Sequence, residues 1–195
     1  MDLICASANP NKYEEMSQIL SGVVNLIPRP MDIPEVVEDA DDLLGNARLK
    51  AAAIQSATGY PAVADDTGLE VDALEGAPGV FSARYAGPNA TYEDNVQKLL
   101  NEMKGVPLEK RSARFRTIAL ISWIDGTETI AEGIVEGHIS ESPSGSGGFG
   151  YDSLFVPTSG NGKTFAEMED QEKNSISHRG VAFRSLKQFL LARNI

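Results

Sequence analysis

Residues 63–87, VADDTGLEVDALEGAPGVFSARYAG, decide how the rest of the chain is organised. The apolar run at 62–64 predicts a short buried strand, which leads into Asp65 and Asp66 and then into a glycine-containing turn at 67–68. Carboxylates at the end of such a strand lie at the edge where α/β sheets bind ligands. Adjacent acids also suit a divalent cation that bridges protein and phosphate oxygens. The alternative is a solvated acidic turn between two strands.

The composition is typical of one soluble globular domain, which we place at residues 1–195. Of the 195 residues, 42% are apolar and 23% are charged. The net charge of −11 argues against binding of nucleic-acid polymers, which depends on basic residues that neutralise phosphates. No run approaches the roughly 20 apolar residues of a membrane span, and the N-terminus lacks a secretory signal. The single cysteine, Cys5, is expected in the core, and a cytoplasmic location is expected.

The N-terminal residues predict a strand, a polar loop and a capped helix. Residues 2–6 are the strand, Asn9 is the N-cap, Pro10 occupies the first helical position, and the helix ends at Gly22. The N–H groups at such a helix start can bind an anion. Lys12 opposes the helix dipole unless an anion lies nearby. The alternative is an ordinary capped helix with a solvated lysine.

The acidic run at 38–42 precedes another predicted helix. Asp41 and Asp42 are expected to cap it and to interact with its dipole. Glu38 lies a few residues earlier and is less easily explained in that way. The other patterns predict strands at 23–27, 33–37, 113–124, 128–139 and 151–156, a hairpin turn at 125–126, and helices that begin after Thr91 and Ser177.

Two later segments have the composition of ligand-binding loops. Residues 145–152 place Phe149 and Tyr151 among glycines, which allow a ligand to approach the backbone while an exposed ring stacks on a base. The alternative is a flexible loop with both rings in the core. Residues 172–180 bring a lysine, a histidine and an arginine to a helix start, where cations are unfavourable unless an anion or a ligand carbonyl is also present. His178 taken alone fits an ordinary capped turn.

Together these segments resemble the inosine triphosphate pyrophosphatase family, which removes non-canonical purine nucleotides. The resemblance covers nearly the whole chain, and its specificity comes from four long motifs in the same order. These motifs are SANPNK at 7–12, residues 63–87, GGFGYDSLF at 147–155, and KTFAEM…EKNSISHRG between 163 and 180. The chain departs from the family pattern at Ala8 (usually Gly), Gly45 (often Glu), Thr67 (commonly Ser) and Ser153 (usually Pro).

The resemblance implies roles for individual residues. Mg²⁺ would bind Glu38 and Asp66, and Asp66 would also accept a proton from the attacking water. Asp65 would be a structural neighbour of the site. Residues 7–12 would hold the triphosphate, Phe149 would stack on the base, and the last basic cluster would contact the base edge and phosphates. The implied substrate-binding residues are Ser7, Ala8, Asn9, Pro10, Asn11, Lys12, Thr67, Phe149, Gly150, Tyr151, Asp152, Lys173, His178 and Arg179.

The implied fold is α/β, with an elongated mixed sheet, helices around it, and two lobes with the active-site cleft between them. The implied enzyme is a homodimeric, Mg²⁺-dependent pyrophosphatase acting on inosine, deoxyinosine and xanthosine triphosphates. Two alternatives stay open at this point: a pyrophosphatase for other modified nucleotides, and a nucleotide-binding sensor that has lost catalysis. The intact Glu38, Asp66, Lys12 and Lys173 argue against that loss.

Overall fold

The computed structural model describes residues 1–193, which contain seven strands and five α-helices. The strands are β1 (Asp2–Cys5), β2 (Asn25–Ile27), β3 (Ala62–Val71), β4 (Pro78–Gly79), β5 (Ser112–Ser122), β6 (Glu128–Ile139) and β7 (Phe155–Pro157). The helices are α1 (Pro10–Leu20), α2 (Leu43–Thr58), α3 (Tyr92–Glu102), α4 (Asp170–Ile176) and α5 (His178–Ala192). No helix within residues 1–193 combines the length and the apolar character needed to cross a membrane.

The strands form a mixed sheet with the order β2-β1-β3-β5-β6-β7, and β4 pairs with β3 outside this order. Strand β1 runs parallel to both β2 and β3, whereas β4 is antiparallel to β3 and β7 is antiparallel to β6. The predicted mixed α/β class is therefore confirmed. In the β1–β3 register Cys5 lies opposite Val63, so the loop that follows β1 begins near the acidic pair.

The chain divides into two compact units, each with its own apolar core. Unit 1 comprises residues 1–66, 117–133 and 178 onward, and unit 2 comprises 67–116 and 134–177. In unit 1, helices α1 and α5 pack together, and Cys5 is buried in the core as predicted. In unit 2 the core contains a cluster of aromatic rings, in which the centroids of Phe115 and Phe155 are 4.8 Å apart.

Local capping explains where three helices begin. The Asn9 side chain accepts hydrogen bonds from the first turn of α1, and Pro10 occupies the first helical position. Asp42 caps α2 by accepting from the Gly45 N–H at 2.6 Å. Thr91 and the third residue of α3 form a complete capping box. These three predicted helix starts are confirmed, as is the turn at 125–126, where the Trp123 N–H donates to the Thr127 carbonyl.

Strand β3 differs from its prediction in length. We expected it to end before Asp65, but it continues through both acids and the following glycine to Val71. Gly68 lies within the strand because the neighbouring chain passes very close: a Cβ there would be 2.7 Å from the Gly79 carbonyl oxygen. The acids are tolerated inside the strand because each is paired with buried cations, as described below.

The strand predicted at 33–37 was wrong, since residue 33 is a bend and residues 34–37 have irregular backbone. Pro34 lacks the N–H that a strand interior would use, and Val37 is largely exposed. Arg29 satisfies part of this backbone instead, because its guanidinium donates to the carbonyls of Ile33 and Pro34 at 2.7 Å each. This segment leads directly into Glu38.

Candidate active site

Asp65 lies at the centre of a buried ionic network in unit 1. Its Oδ2 atom accepts hydrogen bonds from Arg179 Nε at 3.1 Å and Arg179 Nη2 at 2.9 Å, and it is 3.2 Å from Lys12 Nζ. The Arg179 Nη1 atom donates to Glu15 Oε2 at 2.5 Å. Asp65 and Arg179 are each only 1% exposed. The network therefore connects β3 with the first turns of α1 and α5.

The network fixes the charge state of its members. Burial alone would raise the pKa of Asp65, but the cations Lys12, Arg179 and Lys50 outweigh it and hold that pKa well below its usual range. Burial likewise opposes the charge of Arg179, but Asp65 and Glu15 raise its pKa above the ordinary value. For Lys12 burial dominates, and its pKa is lowered despite Asp65. Asp65 is thus an ionised counter-ion at every physiological pH.

Asp66 belongs to a second network, formed with α2. Its Oδ1 atom is 3.1 Å from Lys50 Nζ, and its Oδ2 atom accepts from Asn46 Nδ2 at 3.1 Å. The same Lys50 ammonium is 3.2 Å from Glu38 Oε2. Consecutive side chains of a strand point to opposite faces, which explains why adjacent acids have different partners. The two predicted metal ligands, Glu38 and Asp66, are therefore brought together around one cation.

Lys50 is a functional candidate that the sequence analysis missed. It lies four residues after Asn46 on α2, so that both side chains share one face of the helix, and both are buried. Burial opposes its charge, but Asp66, Asp65 and Glu38 together raise its pKa above the ordinary value. The sequence signal that could have revealed Lys50 is its spacing of four residues from Asn46, beside the apolar face of the helix.

The loop before α1 is shaped by its own side chains. Asn9 Oδ1 accepts from the N–H groups of Asn11 at 3.0 Å and Lys12 at 3.5 Å. Ser7 Oγ accepts from the Asn9 N–H at 3.2 Å. Ala8, Pro10 and Asn11 are exposed, whereas Ser7, Asn9 and Lys12 are half-buried. The predicted phosphate loop is thus an ordered, partly open helix start, with the Lys12 side chain only 16% exposed.

Unit 2 holds the other group of predicted residues. Asp152 Oδ2 accepts from the Phe149 N–H at 2.9 Å and from Lys173 Nζ at 2.7 Å. The Lys173 ammonium is also 4.8 Å from the centroid of the Phe149 ring, within range of a cation–π interaction. Gly148 has φ +67°, and a Cβ there would be 2.2 Å from Asp152 Oδ2. Only glycine fits that position, so the loop holds Phe149 against the buried Asp152–Lys173 pair.

The remaining predicted residues are placed as follows. Tyr151 is buried, and its hydroxyl donates to the Ser82 carbonyl at 2.9 Å, so its ring belongs to the core of unit 2. Gly150 and Thr67 are half-buried in unit 2, and Thr67 directly follows Asp66 within β3. His178 is buried at the first position of α5 in unit 1, directly after Ser177, as the sequence predicted.

The donors of the second network suit Mg²⁺. Carboxylate oxygens are the side-chain ligands that this ion prefers. It usually keeps several waters and is bound by one or two carboxylates together with substrate phosphates. Within residues 1–193 there is no cluster of three or more acidic, histidine or cysteine side chains that could hold a metal unaided. The pair Glu38 and Asp66 therefore fits a metal that is completed by its substrate, and does not fit an all-protein cage.

Comparison with known proteins identifies the family. The profile of the Ham1 family matches residues 3–189. A dITP/XTP pyrophosphatase of Porphyromonas gingivalis is 48% identical over 97% of this chain and 97% of its own length. A dITP/XTP pyrophosphatase of Geobacter sulfurreducens is also 48% identical, over 96% of each chain. The structure of a HAM1 protein from Coxiella burnetii superposes with a TM-score of 0.89 at 38% identity, covering 98% of this chain and 99% of that one. The chain therefore belongs to the Ham1 family.

Proposed function

We propose that this chain hydrolyses inosine, deoxyinosine and xanthosine triphosphates to the nucleoside monophosphate and pyrophosphate. The observation that carries the proposal is the pairing of two adjacent acids on β3 with different lysines, Asp65 with Lys12 and Asp66 with Lys50. Triphosphate hydrolysis requires cations for the phosphate oxygens, a carboxylate that receives a proton, and charge compensation in the transition state. Relatives of nearly equal length carry the name dITP/XTP pyrophosphatase.

We assign the phosphates to the start of α1 and to Lys12. Lys12 lies in the first turn of α1, and at this helix N-terminus the backbone N–H groups and the helix dipole favour an anion. It is held there by Asp65, whose position is in turn set by Arg179. A phosphate that approaches Lys12 therefore meets a cation that the fold has already oriented. Ser7 and Asn9 order the loop that precedes this helix.

Glu38 and Asp66 would hold Mg²⁺ together with phosphate oxygens of the substrate. When bound, the ion would neutralise negative charge that develops on the phosphates. Lys50 already bridges the two carboxylates, so it keeps both side chains pointed at one place. Asn46 adds a hydrogen bond to Asp66 and fixes the rotation of that carboxylate.

Asp66 would also act as the general base. It accepts a proton from the attacking water, the water oxygen bonds to the α-phosphorus, the bond from that phosphorus to the α–β bridging oxygen breaks, and pyrophosphate leaves. Positioned bases of this kind contribute about 10²–10⁴-fold to the rate. Asp65 is less suited to the role, because Lys12 and Arg179 hold its pKa well below the usual range and so make it a weak base.

We assign the purine base to Phe149 in unit 2. Its backbone is fixed by Asp152, and the neighbouring Lys173 is buried and paired with the same carboxylate. Thr67, Gly150 and Tyr151 are assigned to the nucleotide on the resemblance alone. His178 and Arg179 are assigned to the base edge and phosphates on the same basis. Arg179 is only 1% exposed, so its contact with a nucleotide requires the groups around it to rearrange.

The test is pyrophosphate release from purified protein with Mg²⁺ and inosine, xanthosine, guanosine or adenosine triphosphate. Inosine and xanthosine triphosphates share a carbonyl at position 6, where adenine has an amino group, and a site built to donate to that carbonyl rejects the amine by up to about 10⁴–10⁵-fold. We expect efficient release of pyrophosphate from inosine and xanthosine triphosphates and little from adenosine triphosphate. Binding without release would indicate the sensor alternative. The proposal also includes a homodimer in the cytoplasm, which rests on the resemblance and is checked by light scattering and fractionation.

A further inference from the structure

We propose that Tyr92 is a second aromatic contact for the purine base, beside Phe149. The inference rests on the proposed function in one respect only, the assignment of Phe149 to the base. The two ring centroids are 6.0 Å apart with an interplanar angle of 40°. Tyr92 is 46% exposed, so a large part of this aromatic residue is accessible to a ligand. None of the four sequence motifs includes it.

The backbone beneath Tyr92 is firmly held. Tyr92 is the first residue of α3, and the Thr91 and Asp94 side chains that flank it form both hydrogen bonds of the capping box. One turn further, buried Asn95 accepts from the Ala86 N–H at 2.8 Å and donates to the Ala83 carbonyl at 3.2 Å. The helix start is thus anchored from both sides, and the exposed ring projects from a fixed backbone.

The neighbours of Phe149 differ in how freely they can move. Lys173 contacts the ring, but it is buried and its ammonium is 2.7 Å from Asp152 Oδ2. Its displacement would break a buried ion pair, which is costly. Tyr92 also contacts the ring, but much of its own ring is exposed. When a base stacks on Phe149, Tyr92 is therefore the neighbour that can shift.

The ring geometry suits an adjustable contact. A tilt of 40° is neither a parallel stack nor a perpendicular edge contact, so the pair does not occupy either of the favoured arrangements of two rings. Rotation of the exposed Tyr92 ring about its two side-chain torsions can bring it against a purine without any backbone change. Stacking tolerates different bases, because every base offers a π-face. Tyr92 would therefore strengthen base binding more than it would select among purines.

A fluorescence titration tests the contact directly. The chain has a single tryptophan, Trp123, which is buried in unit 1, so Tyr92→Trp introduces one exposed indole. We expect inosine monophosphate to quench this indole saturably, and inorganic pyrophosphate not to do so. Tyr60→Trp is the matched control, because Tyr60 is 50% exposed and belongs to unit 1. An unchanged Tyr92→Trp signal, at concentrations at which equilibrium dialysis shows inosine monophosphate bound to the variant, would overturn the proposal.

Kinetics separate a base contact from a structural role. Tyr92→Leu is expected to raise KM for inosine triphosphate about fivefold to tenfold, which corresponds to the lower end of the binding free energy of one base–aromatic stack. The value of kcat should change less than about twofold. Tyr92→Phe keeps the ring and should retain the wild-type KM, and Tyr60→Leu should be silent. The inhibition constant of pyrophosphate should not change in any variant. A fall in kcat or weaker pyrophosphate inhibition in Tyr92→Leu would mean that Tyr92 only supports the helix start.

The two proposals can fail separately. If wild-type protein releases no pyrophosphate from any purine triphosphate, the proposed function fails, while the titration with inosine monophosphate still decides whether Tyr92 contacts a base. If wild-type protein is active but the Tyr92→Trp signal is silent, only the role of Tyr92 fails.

Discussion

The two adjacent acids of β3 should respond differently to the same substitution. Asp65→Asn removes the charge that pairs with Arg179 and Lys12. This pair is buried, since Asp65 and Arg179 are each 1% exposed. Removing one partner of a buried ion pair costs about 3–5 kcal/mol, because the other charge stays buried. Arg179 keeps its bond to Glu15, so we expect a loss near the lower end, about 3 kcal/mol of the free energy of unfolding.

Asp66→Asn should reduce the stability of the protein less and its turnover more than Asp65→Asn does. Lys50 keeps Glu38 as a counter-ion, and the new amide oxygen can still accept a hydrogen bond, so the stability loss should be about 1 kcal/mol. Turnover should fall by about 10²–10⁴-fold, because the general base and a proposed metal ligand are lost together. The folded fraction of Asp65→Asn should keep substantially more activity than Asp66→Asn does.

Urea unfolding at pH 7, followed by Trp123 fluorescence, measures the stability change. Trp123 is buried in unit 1, the unit that contains both networks, so its signal reports on the relevant core. Glu128→Gln is the matched control, because Glu128 lies in the same unit and forms an exposed ion pair with Arg48 that is worth at most about 1 kcal/mol. Equal stability losses in Asp65→Asn and Asp66→Asn, or equal losses of turnover, would refute the division of roles.

The pH dependence of stability provides a further check on Asp65. Its pKa in the folded protein is held below the ordinary value of 3.8. A carboxylate with a lowered pKa stabilises the folded state above its unfolded pKa, and this contribution is lost as pH falls toward the folded pKa. Wild-type protein should therefore lose stability more steeply below about pH 4 than Asp65→Asn does. Parallel curves for the two proteins would contradict the assignment.

Three other outcomes are expected. Metal-stripped protein in excess chelator should release no pyrophosphate and should recover with Mg²⁺, and undiminished release would exclude the metal site. Lys50→Met should lower kcat by at least about 10²-fold, the value of one buried electrostatic group, whereas Arg48→Met on the exposed side of α2 should be silent in the same assay. Arg111→Met should destabilise the protein by about 3 kcal/mol in thermal or urea unfolding, because buried Arg111 donates to the carbonyls of Met103, Ile139 and Ser140, and kcat at low temperature should not change.

Features set by neighbouring residues were predictable from the sequence. A helix cap depends on a side chain and N–H groups within three residues of it, so the starts of α1, α2 and α3 could be placed from Asn9, Asp42 and Thr91. The turn at 125–126 is equally local. The family could be recognised from motifs that contain Lys12, Asp65, Asp66 and Arg179, which take part in the two ionic networks.

Features set by distant residues were not predictable. Asp and Gly disfavour strands, so local propensity ended β3 at Ala64, whereas the observed strand continues through the acids. Its continuation depends on cations that lie far away in sequence, including Arg179, which is 114 residues from Asp65. Lys50 was missed for the same reason, since a lysine within a helix is usually solvated and only the partners on β3 and at Glu38 distinguish it.

Successive side chains of a β-strand point to opposite faces, and on β3 this separates the roles of two acids that are adjacent in the sequence. Because Asp65 and Asp66 point to opposite faces of β3, one acid meets α1 and α5 while the other meets α2. The first pairs with an arginine that is fully enclosed, which favours a fixed structural charge. The second shares a lysine with Glu38, whose side chain is 33% exposed, and it is to this pair that we assign the metal. A strand that ended before Asp65, as local propensity suggested, would have placed both acids on a flexible turn and would not have separated these roles.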